Sequence, residues 1–445
     1  MYKYVKRALL LAALTGLMMI CGGCGLESAE GLLLLPKVPS EYMQLQEQLD
    51  GVLANGASYA VAEAGTNRQP VQLVDVDGDG TDEALAFFQS DDGTYQVHAF
   101  RQEDERYVPI GVAEGFGSTL RAIYYPACGA GGQLALALCW GFDQNGAYGM
   151  TIYGFEEDGL RMLLDMQYAD VLIEDLDGNG TAELVFAVWD AATGLYTARG
   201  YQLQNGQYRQ IFETALCLEI RSVIGMTAGR LSGRESAIFI DSAATMGGYV
   251  TDMICWDGQT AVNRTIDPTS GSGSSTWRGA AAACLDMNGD GLPEIPVSHV
   301  FERETSEVEA RYRLDWVDYG SGREREVVES TFYVPGEYWY LTWPDAWKDD
   351  VRAEKSRTAY AEQTNFYLED EEGREILLSI RVFNSANREI AANLARRFHI
   401  LADNANGIYC DTLPENVENN SYRLTEEMVA AAFHPIESNW RTEEY

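Results

Sequence analysis

The chain has 445 residues, 46% of them hydrophobic and 11% aromatic, enough for two or three domains or for one large repeat array with an extra domain. A formal net charge of −36 repels phosphate backbones and anionic lipid headgroups, which makes nucleic acid a poor partner. Plentiful Gly (43) and Tyr (25), beside few helix-forming blocks, lean towards β-structure with many turns.

The N-terminus reads "MYKYVKRALLLAALTGLMMICGGCG", with Lys3, Lys6 and Arg7 ahead of a thirteen-residue apolar stretch from Ala8 to Ile20. That stretch is too short for an ordinary membrane span and has the layout of a secretory signal. The following "CGGCG" resembles a bacterial lipobox, with Gly22 and Gly23 before Cys24, although Cys21 stands where Leu is usual. The resemblance implies a signal peptide over 1–23, lipidation of Cys24 and a tether over 24–38. The expected place is the outer face of the bacterial cytoplasmic membrane, reached through the N-terminal lipid. A plain cleaved signal or a retained anchor is the alternative. Cys139, Cys217, Cys255 and Cys284 lie in apolar runs and read as buried thiols. Export permits disulfides, with Cys128 and Cys139 the first pair to test.

A helix is predicted over 39–56, where Ser40 can cap it, Tyr42, Leu45, Leu49 and Val52 share one face, and Gly56 can end it.

Next comes "LVDVDGDGTDEALAFF" from Leu73, which returns as "LIEDLDGNGTAELVFAV" from Leu172 and as "CLDMNGDGLPEIPVS" from Cys284. Aligning their final carboxylates reveals two hidden members, "GGQLALALCW" with Gln133 and "SGRESAIFID" with Glu235. The aligned positions 83, 133, 183, 235 and 294 are 50, 50, 52 and 59 residues apart. Within each repeat an apolar run ("ALAFF", "LALALCW", "LVFAVW", "AIFI") is followed by a turn, an aromatic strand and often a hairpin turn. The hairpin turns include Asp158-Gly159, Asn205-Gly206 and Asp257-Gly258. Four antiparallel strands per unit of about 50 residues predict a mainly β fold: a β-propeller of about five blades over 57–333. A stacked open array is the alternative.

Each acidic loop places short oxygen-bearing side chains at its first, third and fifth positions, glycine at the sixth and glutamate at the ninth. The first has Asp75, Asp77, Asp79, Gly80 and Glu83; the second Asp175, Asp177, Asn179, Gly180 and Glu183; the third Asp286, Asn288, Asp290, Gly291 and Glu294. Such side chains can wrap one hard cation, and the backbone carbonyls of Thr81, Thr181 and Leu292 would add an oxygen. All-oxygen ligation selects Ca²⁺, at up to three sites, over zinc or copper. An EF-hand needs glutamate at position twelve, which here is Ala86, Phe186 and Val297, and helical flanks where these are β-like. The loops resemble FG-GAP or VCBS repeats, whose D-x-[DN]-x-[DN]-G-x-x-[DE] motif they match residue by residue. The resemblance implies an integrin-α-like propeller with structural calcium, covering about 57–330. The family commonly has seven blades, against the five repeats counted here. The second and fourth repeats ("YPACGAGGQ", "TAGRLSGRE") lack the carboxylates and are expected to bind no calcium.

From about Val334 the acidic loop never returns, and a small α+β domain is predicted over 334–445. Thr425 caps its last helix ahead of Pro435. Trp339, Trp343 and Trp347 read as core rather than as a sugar-stacking platform. The four histidines are scattered and no nucleophile, zinc-protease or phosphate-loop motif occurs. The expected function is a binding module for a protein or a glycan. The alternatives are an envelope- or polysaccharide-active hydrolase or lyase, and a purely structural envelope protein.

Overall fold

The computed structural model describes residues 40–436, apart from 105, 130, 143–147, 157–158, 232–234, 303–310, 321–324, 335–336, 348, 358–359, 370–372, 384–387 and 416–419. The signal peptide, Cys24, the tether and Asp158 lie outside the described residues. No described helix is long and apolar enough to cross a membrane.

The fold is mainly β: the described residues form six antiparallel sheets, which begin one after another along the chain. In the first, Ser58–Tyr59 and Val71–Val74 both pair with Glu83–Gln89, followed by Tyr95–Glu103 and Arg106–Glu114. The second (Thr119 to Tyr168), third (Asp170 to Ala215) and fourth (Ile220 to Asn263) each have four strands in chain order, the predicted blade content. The fifth begins with Ile295–Glu302, Arg311–Asp318 and Glu326–Tyr333. It continues through Trp339–Thr342 to Phe433–Pro435, so pairing runs past residue 334, where the domain boundary was expected. The sixth, Arg352–Arg357, Glu362–Glu369 and Arg374–Phe383 with Gly407–Thr412 and His399–Asn404, lies in the C-terminal region.

Burial follows from the apolar runs. The second strand of each repeat is central and covered on both faces, so it reads as a continuous apolar stretch. Residues 84–88, 136–140, 184–188 and 237–240 are all buried. Alternate side chains point to opposite faces, and successive sheets therefore share successive cores. Leu85 and Phe87 meet Leu136 and Trp140; Cys139 meets Leu184 and Phe186; Val185 meets Ile238 and Trp256. Phe239 and Cys255 meet Ile295, and Phe332 and Trp339 meet Phe366 and Leu378. Each fully buried side chain of this size contributes roughly 1.5–3 kcal/mol.

Helices cover the two end faces. The helix α1, Ser40–Ala54, lays Leu45 and Leu49 on Ala84, Ala86 and Phe88 of the first sheet, while Tyr42 stays exposed. The helix α2, Arg388–Ala395, lays Ala391 and Ala395 on Phe383, Ile408 and Cys410 of the sixth. A third helix, α3, spans Glu426–Ala432, and Thr425 Oγ1 accepts from Met428 N–H at 3.2 Å as its cap.

The hairpin at Asn205-Gly206 has φ of 51° and 74°, the left-handed pair a two-residue turn needs. Trp339, Trp343 and Trp347 are buried in the core shared by the fifth and sixth sheets, as predicted. Cys128, Cys139, Cys217, Cys255, Cys284 and Cys410 are free thiols, so the Cys128–Cys139 pair does not form a disulfide.

One buried polar cluster was not anticipated. Arg278, in the connection between the fourth and fifth sheets, donates to Asp241 Oδ1 at 2.7 Å, Thr251 Oγ1 at 2.8 Å and the Ala282 carbonyl at 2.8 Å. Asp241 Oδ2 accepts from Cys284 N–H at 2.9 Å. The ion pair thus fixes the chain just before the third acidic loop.

Candidate metal centres and a tyrosine-lined pocket

The three acidic loops fold alike. The carboxylate at the first position accepts from the N–H of the fourth and sixth: Asp75 from Gly78 (2.8 Å) and Gly80 (3.0 Å), Asp175 from Gly178 (2.7 Å) and Gly180 (2.9 Å), Asp286 from Gly289 (2.7 Å) and Gly291 (2.8 Å). The fifth side chain takes the N–H of the seventh residue: Asp79 that of Thr81, Asn179 that of Thr181, Asp290 that of Leu292. The glutamate reaches back to the second: Val76 N–H donates to Glu83 Oε2 at 3.1 Å, Leu176 to Glu183 at 2.8 Å and Met287 to Glu294 at 2.7 Å. These bonds pin the carboxylates in place while leaving lone pairs for a further partner. Gly80, Gly180 and Gly291 take φ of 89°, 86° and 88°, which the turn requires of glycine.

The first two loops gather their carboxylates. Oxygens of Asp75, Asp77 and Glu83 lie within 4.8 Å of one another, as do those of Asp175, Asp177 and Glu183. Among the described residues the third loop forms no such group; Asn288 stands where the others have Asp77 and Asp177. Glu83 tests whether a cation fits. It is 1% exposed, and its Oε1 is buried with no hydrogen-bond partner among the described residues. Burial, with Asp77 and Asp79 adding, pushes its carboxyl up to about 7 against the Val76 N–H and Arg101. An orphaned acceptor beside two further carboxylates suits a hard cation. Burial likewise raises Glu183 and Glu294.

The oxygen matching Glu83 Oε1 is occupied in the other loops. Gln202 Nε2 donates to Glu183 Oε1 at 2.9 Å and to Asp177 Oδ2 at 3.1 Å. Asn288 Nδ2 donates to Glu294 Oε1 at 3.1 Å. Near the first loop, Arg101 Nε lies 3.7 Å from Asp77 Oδ2.

The loops also touch their neighbours. Leu134 N–H donates to the Val76 carbonyl and Ala182 N–H to the Ala127 carbonyl, both at 2.9 Å, while Ser236 Oγ donates to the Leu176 carbonyl. Acidic and stripped loops therefore join adjacent repeats, and Gly78 packs so tightly on the Gly131 carbonyl that a Cβ would lie 2.3 Å from it. In the stripped repeats Gln133 accepts from Cys128 N–H through its carbonyl at 2.8 Å, and Glu235 pairs with Arg264 at 3.0 Å.

A cavity of about 330 Å³ lies where Arg121 and Tyr124 of the second sheet, Asp170 and Val171 of the third, and Val223 of the fourth converge. Tyr148 and Tyr168 complete an aromatic wall, with ring centroids 6.1 Å apart. The Arg121 guanidinium stacks on Tyr148 at 4.7 Å and lies 3.6 Å from Glu63. Burial pushes Asp170 up to about 6, against the Val171 N–H it accepts at 2.9 Å. A second cavity, about 460 Å³, shares Tyr124 and Val171 and extends to Asp175 of the second acidic loop.

No protein-family model matches this sequence, and neither does any curated protein. Among solved structures the chain is similar to the β-propeller domain of the trilobed protease from Pyrococcus furiosus, at 8% identity and TM-score 0.26, covering 72% of this chain and 93% of that one. It is also similar to a Bacillus licheniformis rhamnogalacturonan lyase, at 10% identity and TM-score 0.30, covering 72% and 91%. A third is an ulvan lyase, at 8% identity and TM-score 0.30, covering 74% and 81%. Likeness at this level assigns neither family nor activity.

Proposed function

We propose that this chain is a calcium-stabilised array of β-sheets, of the FG-GAP or VCBS kind, lipid-anchored through Cys24 on the outer face of the membrane, that binds a glycan. The tyrosine-lined pocket carries the reading. Its size falls within the range of small-ligand sites, and it combines aromatic faces with a few convergent polar groups. Sugar rings stack on such faces while their hydroxyls pair with a carboxylate and a guanidinium, here Asp170 and Arg121. Calcium at the acidic loops has a structural role, supported by the orphaned Glu83 Oε1. The helix-covered end faces favour a stacked array over a closed ring.

Glycan-array binding of the mature chain tests the proposal. Tyr124→Ala and Arg121→Gln are expected to weaken binding at least roughly tenfold, since each removes a direct contact of a size ordinary for a binding residue. Unchanged binding in both variants would sink it. A second reading, cleavage of the same glycan, is favoured by Asp170, whose carboxyl at about 6 suits a general acid. Product release abolished by Asp170→Asn would select it.

A further inference from the structure

In the hairpin after each acidic loop, the second strand carries a residue just past the pairing that begins next to the loop's glutamate, and its charge differs from loop to loop. Ala84 pairs with Phe100, Leu184 with Tyr201 and Ile295 with Val317. Continued by one residue, those registers bring Arg101, Gln202 and Asp318 alongside Glu83, Glu183 and Glu294: a cation, a neutral amide and an anion. Arg101 lies beside Asp77, and Gln202 bridges Asp177 and Glu183. Asp318 directly follows Val317, the partner of Ile295, and so ends the strand beside Glu294.

The loops vary in the opposite sense. The first has four carboxylates among its ligand positions and faces a cation; the third has three, with Asn288 replacing an aspartate, and faces an anion. Counting the facing residue, the net charges are −3 at the first loop, −3 at the second and −4 at the third.

We propose that Arg101, Gln202 and Asp318 belong to the three metal centres and set their cation affinity, Arg101 weakening the first and Asp318 strengthening the third. The inference rests on the calcium reading. Arg101 competes with the cation for Asp77. Asp318 restores the negative charge that Asn288 removes. Gln202 donates its amide to the two carboxylates that would ligate the ion, and a rotation of that amide would present its oxygen instead.

Calorimetric titration of the mature chain with Ca²⁺ alone tests this, using chains that keep one loop each through pairs of Asp75→Asn, Asp175→Asn and Asp286→Asn. A unit charge about 5 Å from the ion in a solvent-touched site changes affinity roughly tenfold. Arg101→Gln should therefore tighten the first loop about tenfold, and Arg101→Lys should leave it weak. Asp318→Asn should weaken the third about tenfold and leave the first unchanged. Calcium uptake that is indifferent to both charge-removing substitutions overturns this inference and spares the calcium reading. No uptake by the unsubstituted chain, with normal melting, overturns both.

Discussion

Arg278 and Asp241 form an ion pair at 2.7 Å whose guanidinium is fully buried, in the connection leading to the third acidic loop. Desolvation of such a pair offsets much of its attraction, so its net contribution is small, but losing one partner strands a buried charge. Arg278→Met is therefore expected to cost about 3–5 kcal/mol, read as a lower urea midpoint. The double variant Arg278→Met/Asp241→Leu should recover most of that loss. A single variant as stable as the parent chain would show that the pair is not needed to hold this connection.

Calcium removal should lower the melting temperature. A module with a dissociation constant of roughly 10⁻⁴–10⁻³ M gains about 0.4–1.4 kcal/mol per site at about 1 mM calcium. Chelator should lower melting, excess calcium should restore it, and Asp75→Asn should reduce the difference. Identical melting curves with and without chelator would contradict the metal assignment.

Asp252 gives the chain a pH signature. It is fully buried, accepts from Cys217 N–H at 3.0 Å and Asn263 Nδ2 at 2.6 Å, and burial raises its carboxyl to about 6. A raised carboxyl favours folding while protonated. Its contribution is complete below about pH 4, its unfolded value, and is lost as pH rises through about 6; the two-unit shift corresponds to about 3 kcal/mol. Asp252→Asn should flatten stability across that window relative to the parent chain. Parallel pH profiles would refute the assignment.

Leu49→Ala tests the helical cover of the first sheet. The side chain is 3% exposed and packs against Ala84, Ala86 and Phe88. The expected loss is about 2–5 kcal/mol. Light scattering should also show self-association, because the face beneath α1 is a wide apolar surface. A monodisperse variant of unchanged stability would mean that the helix is dispensable.

Repetition made the repeat region legible. Apolar runs at a spacing of about 50 residues located the central strands, and the loop pattern located the carboxylates that the structure gathers at the first two loops. At the third loop Asn288 stands in place of the second carboxylate and its amide bridges Asp290 and Glu294. The cross-strand residues escaped notice because hairpin length varies: Arg101 is 18 residues after Glu83, Gln202 is 19 after Glu183 and Asp318 is 24 after Glu294. No fixed offset could reveal them. Arg278 escaped because one arginine in a polar connection carries no periodic signal. The sixth sheet and the strand Phe433–Pro435 lie outside the repeat, and their pairing is set by contacts distant in sequence.

The bonds from Leu134 to Val76, from Ala182 to Ala127 and from Ser236 to Leu176 clasp the sheets along the edge where the acidic loops lie, like the pivot of a fan. Adjacent sheets are thus held twice, by these bonds at one edge and by the side-chain cores between their faces. A cation seated in the acidic loops would act as a rivet at that edge. The first effect of calcium would then be mechanical: a narrower range of inter-sheet angles, and with it a better-defined width for the groove that runs from Tyr124 to Asp175.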